Sequence, residues 1–284
     1  MIETWKRTEL NRLKKAYGLE PSKSLGQNFL ADGNIANRIV DAAGVGPEDE
    51  VVEIGPGLGA LTVPLAERCK RVTAVEIDKK LLPALGAAVA GAGNVEIINE
   101  DFLKLEDEAF PDRFVLVGNL PYYITSPLIV RAIELKPTRC VFMMQREVAD
   151  RLLSPPGKKT YGSITVLVQH HCEVELVMNV SREVFAPKPG VDSAVLCLTP
   201  KTNTDGSPRA DVEPDIETLM FRLVRAGFDM RRKTLRNSLA RVGFSEDILL
   251  AALAEVDIDP IRRAETLSPE DFYRLAQQLS KKVQ

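Results

Sequence analysis

The stretch Val51-Val52-Glu53-Ile54-Gly55-Pro56-Gly57-Leu58-Gly59 constrains the fold more than any other part of the chain. A short apolar, β-favouring run stops at glycines on alternate positions, and a helix-like stretch from Ala60 to Cys69 follows at once. That order specifies a strand, a tight turn and a helix N-terminus. Glycines in such a turn allow positive φ and let a ligand approach the backbone, at the strand end where open α/β sheets bind ligands. Glu76 closes the next apolar run, Arg71 to Val75, 21 residues after Gly55. A carboxylate at that spacing can accept hydrogen bonds from both hydroxyls of a ribose. A structural turn beside an ordinary surface glutamate is the plainer alternative, and the strand context with the spaced acid argues against it.

Further strand patterns occur at Val95 to Ile98 and Phe114 to Gly118, with helical patterns between the first three strands. Before them, Ile35, Ile39, Val40 and Ala43 have helical spacing, and Gly44 ends that helix. The alternation predicts an α/β fold of Rossmann-like type, a parallel sheet with helices on both faces. Asp101 and Phe102 follow the third strand, at the same carboxyl edge as Gly55 and Glu76. An acid that pairs with an adenine amine, beside a stacking aromatic, would complete a nucleoside pocket; taken alone, Asp101 reads as a helix or turn cap. The fourth strand ends in Gly118-Asn119-Leu120-Pro121-Tyr122-Tyr123-Ile124-Thr125. Pro121 lacks a donor and forces Leu120 out of the helical region, so carbonyls near Asn119 and Leu120 can project unpaired into a cleft.

Strands are also expected at Arg139 to Met144, Cys172 to Met178 and Ala194 to Thr199, with a helix from Tyr161 to Gln169. Phe185-Ala186-Pro187-Lys188-Pro189-Gly190-Val191-Asp192-Ser193 is a stiff loop that could hold Phe185 as a wall over the cleft; a plain surface loop is the alternative. From Lys201 to Pro214 polar and turn-forming residues dominate, which reads as a linker. Helical patterns fill the rest, including Ser268 as N-cap, Pro269 at the first helical position, and Phe272, Leu275, Ala276 and Leu279 on one face.

Composition excludes several classes. With 45% hydrophobic and 27% charged residues and no apolar run of membrane-spanning length, the chain reads as soluble, without a membrane partner. Residues 1 to 15 mix both charges and lack the apolar core of a secretory signal, so a cytoplasmic location is expected. Cys69, Cys140, Cys172 and Cys197 have no metal-type spacing and read as reduced core thiols. His170 and His171 have no ligand spacing around them either and read as structural; no metal is expected. A net charge of −3 means that any nucleic-acid role rests on local patches. The arm before residue 25 carries six Lys or Arg against three Glu, which alone reads as a solvated basic arm. Arg222 to Arg241 holds seven Lys or Arg and a single acid, Asp229. That excess suggests a phosphate-binding surface centred on Arg231, Arg232, Lys233 and Arg236.

Taken together, Gln27-Asn28-Phe29-Leu30, the glycine loop, Glu76, Asn99-Glu100-Asp101, the Asn119 motif and the Phe185 loop resemble the ribosomal RNA adenine N6,N6-dimethyltransferase family. The resemblance runs from Ser24 to about Thr199, and within it Leu120, Tyr123 and the long tail look more like the bacterial small-subunit branch. It implies a domain plan of 1–24 basic arm, 25–200 S-adenosylmethionine-dependent methyltransferase domain, 201–214 linker and 215–284 helical RNA-binding domain. It implies S-adenosylmethionine as methyl donor, held by Asn28, Leu30, Gly55, Glu76, Asp101 and Asn119, with Asn119, Leu120, Tyr122 and Phe185 around the target adenine. The implied partner is 16S rRNA in the small ribosomal subunit, the implied role is in subunit biogenesis, and a monomer is expected. A large-subunit resistance methylase is the alternative within the family. Outside it stands a nicotinamide-dependent dehydrogenase, because Gly55, Gly57 and Ala60 also satisfy G-x-G-x-x-A, although no hydride-transfer acid or base is evident. A non-catalytic ribosome-assembly factor on the same fold is the third reading.

Overall fold

The computed structural model describes residues 1–22, 25–202 and 212–282. Ser24, at the end of the expected arm, and positions 203–211, most of the expected linker, lie outside the described residues. Two compact units divide the chain: Met1–Ala149 with Val174–Pro200, and Asp150–Glu173 with Lys201–Gln284.

The first unit is built on α1 (Arg7–Ala16), β1 (Phe29–Leu30), α2 (Gly33–Ala43), β2 (Glu50–Ile54), α3 (Thr62–Ala66), β3 (Arg71–Val75), α4 (Leu82–Val89) and β4 (Val95–Ile98). It continues through β5 (Val115–Asn119), α5 (Thr125–Glu134), β6 (Arg139–Gln145) and α6 (Arg146–Leu152), and α7 (Ser163–His171) follows. Then come β7 (Cys172–Val180), β8 (Phe185–Ala186) and β9 (Ser193–Pro200). Seven strands form one sheet in the order β4-β3-β2-β5-β6-β9-β7. The first five are parallel, and β9 is antiparallel to β6.

Successive residues of β2, β5 and β6 are buried although they point to opposite faces, so helices cover both sides of the sheet. One face packs Val51, Val117 and Met143 against Ile39 and Val40 of α2 and Leu65 of α3. Each such side chain, fully buried, contributes about 1.5–3 kcal/mol. The Asp32 carboxylate caps α2 by accepting from the Asn34 and Ile35 N–H groups at 2.9 and 3.1 Å, and Gly44 stops it at φ 62°.

Register decides where the chemistry lies. Ile54 pairs with Val75 and with Gly118, and Val75 pairs with Ile98. The residues that follow these, Gly55, Glu76, Asn99 and Asn119, therefore stand in one row along the carboxyl edge.

The basic arm is not merely solvated. Glu9 in its first turn and Lys14 and Lys15 in its last suit the helix dipole, which favours α1. Leu10 and Leu13 are buried, and Leu10 packs with Phe29, Leu58, Leu81 and Ala84. Arg7, Arg12 and Lys15 stay exposed on its other side.

The second unit contains α7, α8 (Pro214–Asp229), α9 (Leu235–Leu239), α10 (Glu246–Glu255) and α11 (Pro269–Lys281). It also takes in Asp150–Glu173, which the expected boundaries placed in the sheet domain. Tyr161 and Val166 share an apolar cluster with Met220, Leu223, Leu253 and Phe272, contacts that span sequence gaps no local pattern reports. The α11 expectation holds in detail: Ser268 and Asp271 form a capping box, and Phe272, Leu275, Ala276 and Leu279 are buried. His170 sits 3.2 Å from the Glu217 carboxylate and meets Phe221 edge-on and Tyr273 at a tilt, in keeping with a structural role. Among the described residues no cysteine forms a disulfide, and all four are buried.

Candidate active site

One cleft in the sheet unit is lined by the Gly26–Leu30 segment, the glycine loop, Glu76 and Ile77, Asp101 and Phe102, and the Asn119–Ile124 turn. Gly55, Gly57 and Gly59 all have positive φ, at 65°, 60° and 89°. A Cβ on Gly55 would meet nothing within 4 Å, so there the side chain is absent for the sake of the φ and of open space rather than of packing. On Gly57 it would press on the Phe29 ring at 3.2 Å.

Glu76 is 4% exposed and already doubly anchored. The Gly57 N–H donates to one carboxylate oxygen at 3.0 Å and the Asp78 N–H to the other at 2.8 Å. Each oxygen keeps a lone pair for a further donor, which suits a diol. Burial raises the Glu76 pKa above its ordinary value, and the two N–H bonds pull it back. Behind it Glu53, 1% exposed, is pushed up to about 8, first by burial, with the nearby Thr62 hydroxyl opposing and the Glu76 charge adding to the rise. Its Oε2 has no hydrogen-bond partner among the described residues. Of two nearby buried carboxyls, Glu53 thus favours its protonated form, while the Glu76 carboxylate accepts two backbone N–H groups.

Around Glu76, Asn99 donates to its backbone carbonyl at 2.7 Å, and Gln27 donates to the Asp78 carboxylate at 2.8 Å. Gln27, through its other amide atom, also accepts from Ser22 N–H at 2.8 Å. The Gln27 and Asn99 roles as fasteners were not assigned from sequence, although both lie inside recognised motifs. Asp101 lines the cleft and caps the following turn by accepting from Leu103 N–H at 3.0 Å, so the cap reading and a ligand-facing carboxylate oxygen are compatible. Phe102 is 4% exposed and meets Phe110 edge to face at 5.5 Å.

Asn119 donates from Nδ2 to the Asn28 carbonyl at 3.2 Å, leaving Oδ1 to accept from a ligand. The Leu120 N–H is used by Met143 at 2.9 Å, whereas the Leu120 carbonyl accepts no hydrogen bond among the described residues. The Pro121 carbonyl is taken by the Thr125 hydroxyl at 2.9 Å. Two acceptors, Asn119 Oδ1 and the Leu120 carbonyl, are therefore available on consecutive residues that line the cleft. The Tyr122 hydroxyl is 2.7 Å from Ser193 Oγ, and burial raises its pKa. Ser193 itself is fully buried, a tie the sequence did not signal.

Two sets of expected residues stand elsewhere. Phe185 is 1% exposed and does not line the cleft: Phe29 pairs with Ala186 and Leu30 with Phe185, which draws the ring into the core cluster beside α2. Burying an aromatic of that size outweighs leaving it as an open wall. Leu30, by contrast, does border the cleft. Of the basic residues, Arg231 is a staple within the helical unit, donating to the Lys159 and Tyr161 carbonyls at 2.9 and 3.0 Å and to Glu265 at 3.0 Å. Arg236 pairs with Glu246. Arg232 and Lys233 remain exposed.

The sequence model of the ribosomal RNA adenine dimethylase family matches residues 19–281. A Bacillus cereus protein named ribosomal RNA small subunit methyltransferase A is 49% identical over 285 aligned positions, covering 95% of this chain and 96% of its own length. A Bacillus anthracis protein of the same name matches equally. Among solved structures, a dimethyladenosine transferase from Plasmodium falciparum superposes with a TM-score of 0.76 at 30% identity, covering 90% of this chain and 98% of that one. The 23S rRNA methyltransferase ErmE superposes at 0.70 with 31% identity, covering 89% and 100%.

Proposed function

The chain belongs to the ribosomal RNA adenine dimethylase family, and on that premise we propose that it methylates the exocyclic N6 of adenosines in the 16S rRNA of the small ribosomal subunit twice, as part of subunit biogenesis. The dehydrogenase reading falls with that membership. S-adenosylmethionine is the methyl donor in this reading. The donor supplies an electrophilic sulfonium methyl; the rest is work for this chain's residues. Two adjacent adenosines in a hairpin loop near the 3′ end, cytoplasmic action and a monomeric working form belong to the same proposal.

The residues fit such a donor. Gly55 leaves open space beside the backbone, Glu76 offers two anchored acceptor oxygens to a ribose, and Asp101 offers one to an adenine amine. The observation that carries the reaction is the pair of unused acceptors at Asn119 and Leu120. An adenine amine is a weak nucleophile because its lone pair is delocalised into the ring. Accepting its two N–H groups at Asn119 Oδ1 and the Leu120 carbonyl favours a pyramidal nitrogen whose lone pair points away from both. Catalysis is then orientation and electrostatics, without an obligatory strong base. After one methylation a single N–H remains, and either acceptor suffices to hold it. The base must first leave its stack, at roughly a few kcal/mol, offset by stacking on Tyr122.

The test is transfer of labelled methyl groups from the donor to undermethylated small subunits, with dimethyladenosine mapped in rRNA from cells with and without the gene. Label confined to large-subunit rRNA would replace this reading with the resistance-methylase alternative, and no label at all with the assembly-factor one.

A further inference from the structure

We propose that a groove on the helical unit, formed by Arg222, Arg225 and Arg241, binds consecutive phosphates of the RNA substrate's backbone; the proposal rests on the reading of the chain as an RNA methyltransferase. Thr218, Phe221 and Asp229 also line this groove. Arg222 and Arg225 are three apart on α8 and so lie on one exposed face, where like charges repel. Arg241 approaches from the turn after α9.

The partnering of these arginines differs from that of several others in the unit. Arg231, Arg236 and Arg274 in the same unit each face a carboxylate. Arg225 and Arg241 make no ion pair or hydrogen bond among the described residues. Arg222 donates one N–H to the Val242 carbonyl at 3.0 Å, which anchors its guanidinium at the groove and leaves its remaining N–H donors uncommitted. Asp229 supplies one negative charge against three positive ones. The groove is therefore a cationic site awaiting an anion, in a protein whose net charge is −3. Its donors are planar guanidinium forks, which match two oxygens of a phosphate, and the Thr218 hydroxyl adds a neutral donor. A phosphodiester chain presents such oxygens in a row. The sequence reading centred the phosphate-binding surface on Arg231, Arg232, Lys233 and Arg236; Arg231 and Arg236 are committed to the protein, Arg232 and Lys233 stay exposed, and the groove adds the two ends of the same basic stretch.

The test uses the full chain and measures binding to protein-free small-subunit rRNA and to intact undermethylated subunits over a range of salt. Replacing Arg225 and Arg241 together by Ala is expected to lower rRNA affinity tenfold or more and to reduce the log–log salt slope by about 1.5, near 0.7–0.9 for each lost phosphate contact. The Arg225→Lys, Arg241→Lys pair keeps two charges, so it should keep the slope while losing affinity several-fold. Thermal melting and donor affinity, both expected unchanged, establish that the variants fold. An unaltered slope in the alanine pair overturns the groove while leaving the methyltransferase reading intact. A loss seen on intact subunits but not on protein-free rRNA overturns it in favour of an acidic protein partner. Failure of the unaltered chain to bind or methylate rRNA removes the groove's ligand and the underlying reading together.

Discussion

The side-chain amide of Asn119 donates a hydrogen bond to the backbone carbonyl of Asn28, 3.2 Å away and 91 residues earlier in the chain. That bond ties the segment before β1 to the carboxyl end of β5, and it fixes which atom of Asn119 faces the substrate. With Nδ2 engaged, Oδ1 is the acceptor.

Asn119→Ala is therefore expected to nearly abolish transfer, by about 10²–10³-fold, as for loss of one preorganised hydrogen-bonding group. Donor affinity should fall only modestly, through loosening of Asn28. Quench-flow with donor-saturated enzyme measures the chemical step, and full activity in this variant would remove Asn119 from the mechanism.

At position 122 two effects separate. Tyr122→Ala loses stacking of about 1–3 kcal/mol, or roughly 10- to 150-fold in transfer, with donor affinity intact. Tyr122→Phe keeps the ring and should transfer at close to the normal rate, yet it deprives the buried Ser193 hydroxyl of its partner. An unpartnered buried hydroxyl costs about 1–3 kcal/mol, so the Phe variant should melt earlier while remaining active. Equal losses of transfer for Phe and Ala would assign the role to the hydroxyl instead of the ring.

Glu76 tests donor binding. Glu76→Ala should weaken affinity strongly, since hydrogen bonds to a charged group contribute about 1.5–3 kcal/mol each. Glu76→Gln should be nearly as damaging, because it sets an amide NH2 against the N–H of Gly57 or of Asp78, both of which now donate to the carboxylate. Calorimetry showing unchanged affinity for S-adenosylmethionine in folded protein would withdraw the assignment.

Glu53 should leave a mark on pH stability. Its folded pKa, about 8, lies above the ordinary glutamate range, so the native state holds the proton more tightly than the unfolded chain. Its contribution is complete below the ordinary range and is lost as pH rises toward about 8. Glu53→Gln mimics the protonated form, and the difference in melting temperature between variant and parent should grow in the variant's favour from about pH 4.5 to about pH 8 and level off above that. A difference independent of pH would show that the carboxyl does not titrate in that window.

The basic stretch should divide in two. Arg231→Ala should destabilise the helical unit, because it strips hydrogen bonds from the Lys159 and Tyr161 carbonyls, with only a small part coming from its half-exposed pair with Glu265. Arg232→Ala with Lys233→Ala should leave stability unchanged and flatten the salt dependence of subunit binding. Differential scanning calorimetry beside salt-dependent binding checks both, and a stable Arg231→Ala variant would return that residue to the RNA surface.

The local part of the design was determined by the sequence alone. A glycine turn after an apolar strand, an acid 21 residues on, and a proline after Asn119-Leu120 each carry their meaning within a few residues, because positive φ, strand ends and a missing donor are properties of single positions. The α11 cap and its apolar face were legible for the same reason. Tertiary structure decided the rest, since an apolar residue announces that it will be buried but not against what. Phe185 entered the core through its pairing with Leu30, Leu10 turned a basic arm into a packed helix, and Tyr161 and Val166 joined the helical unit. Charge is subject to the same limit: Arg231 and Arg225 look alike in a basic stretch, and only the fold gave one of them a carboxylate and two carbonyls and left the other facing a groove.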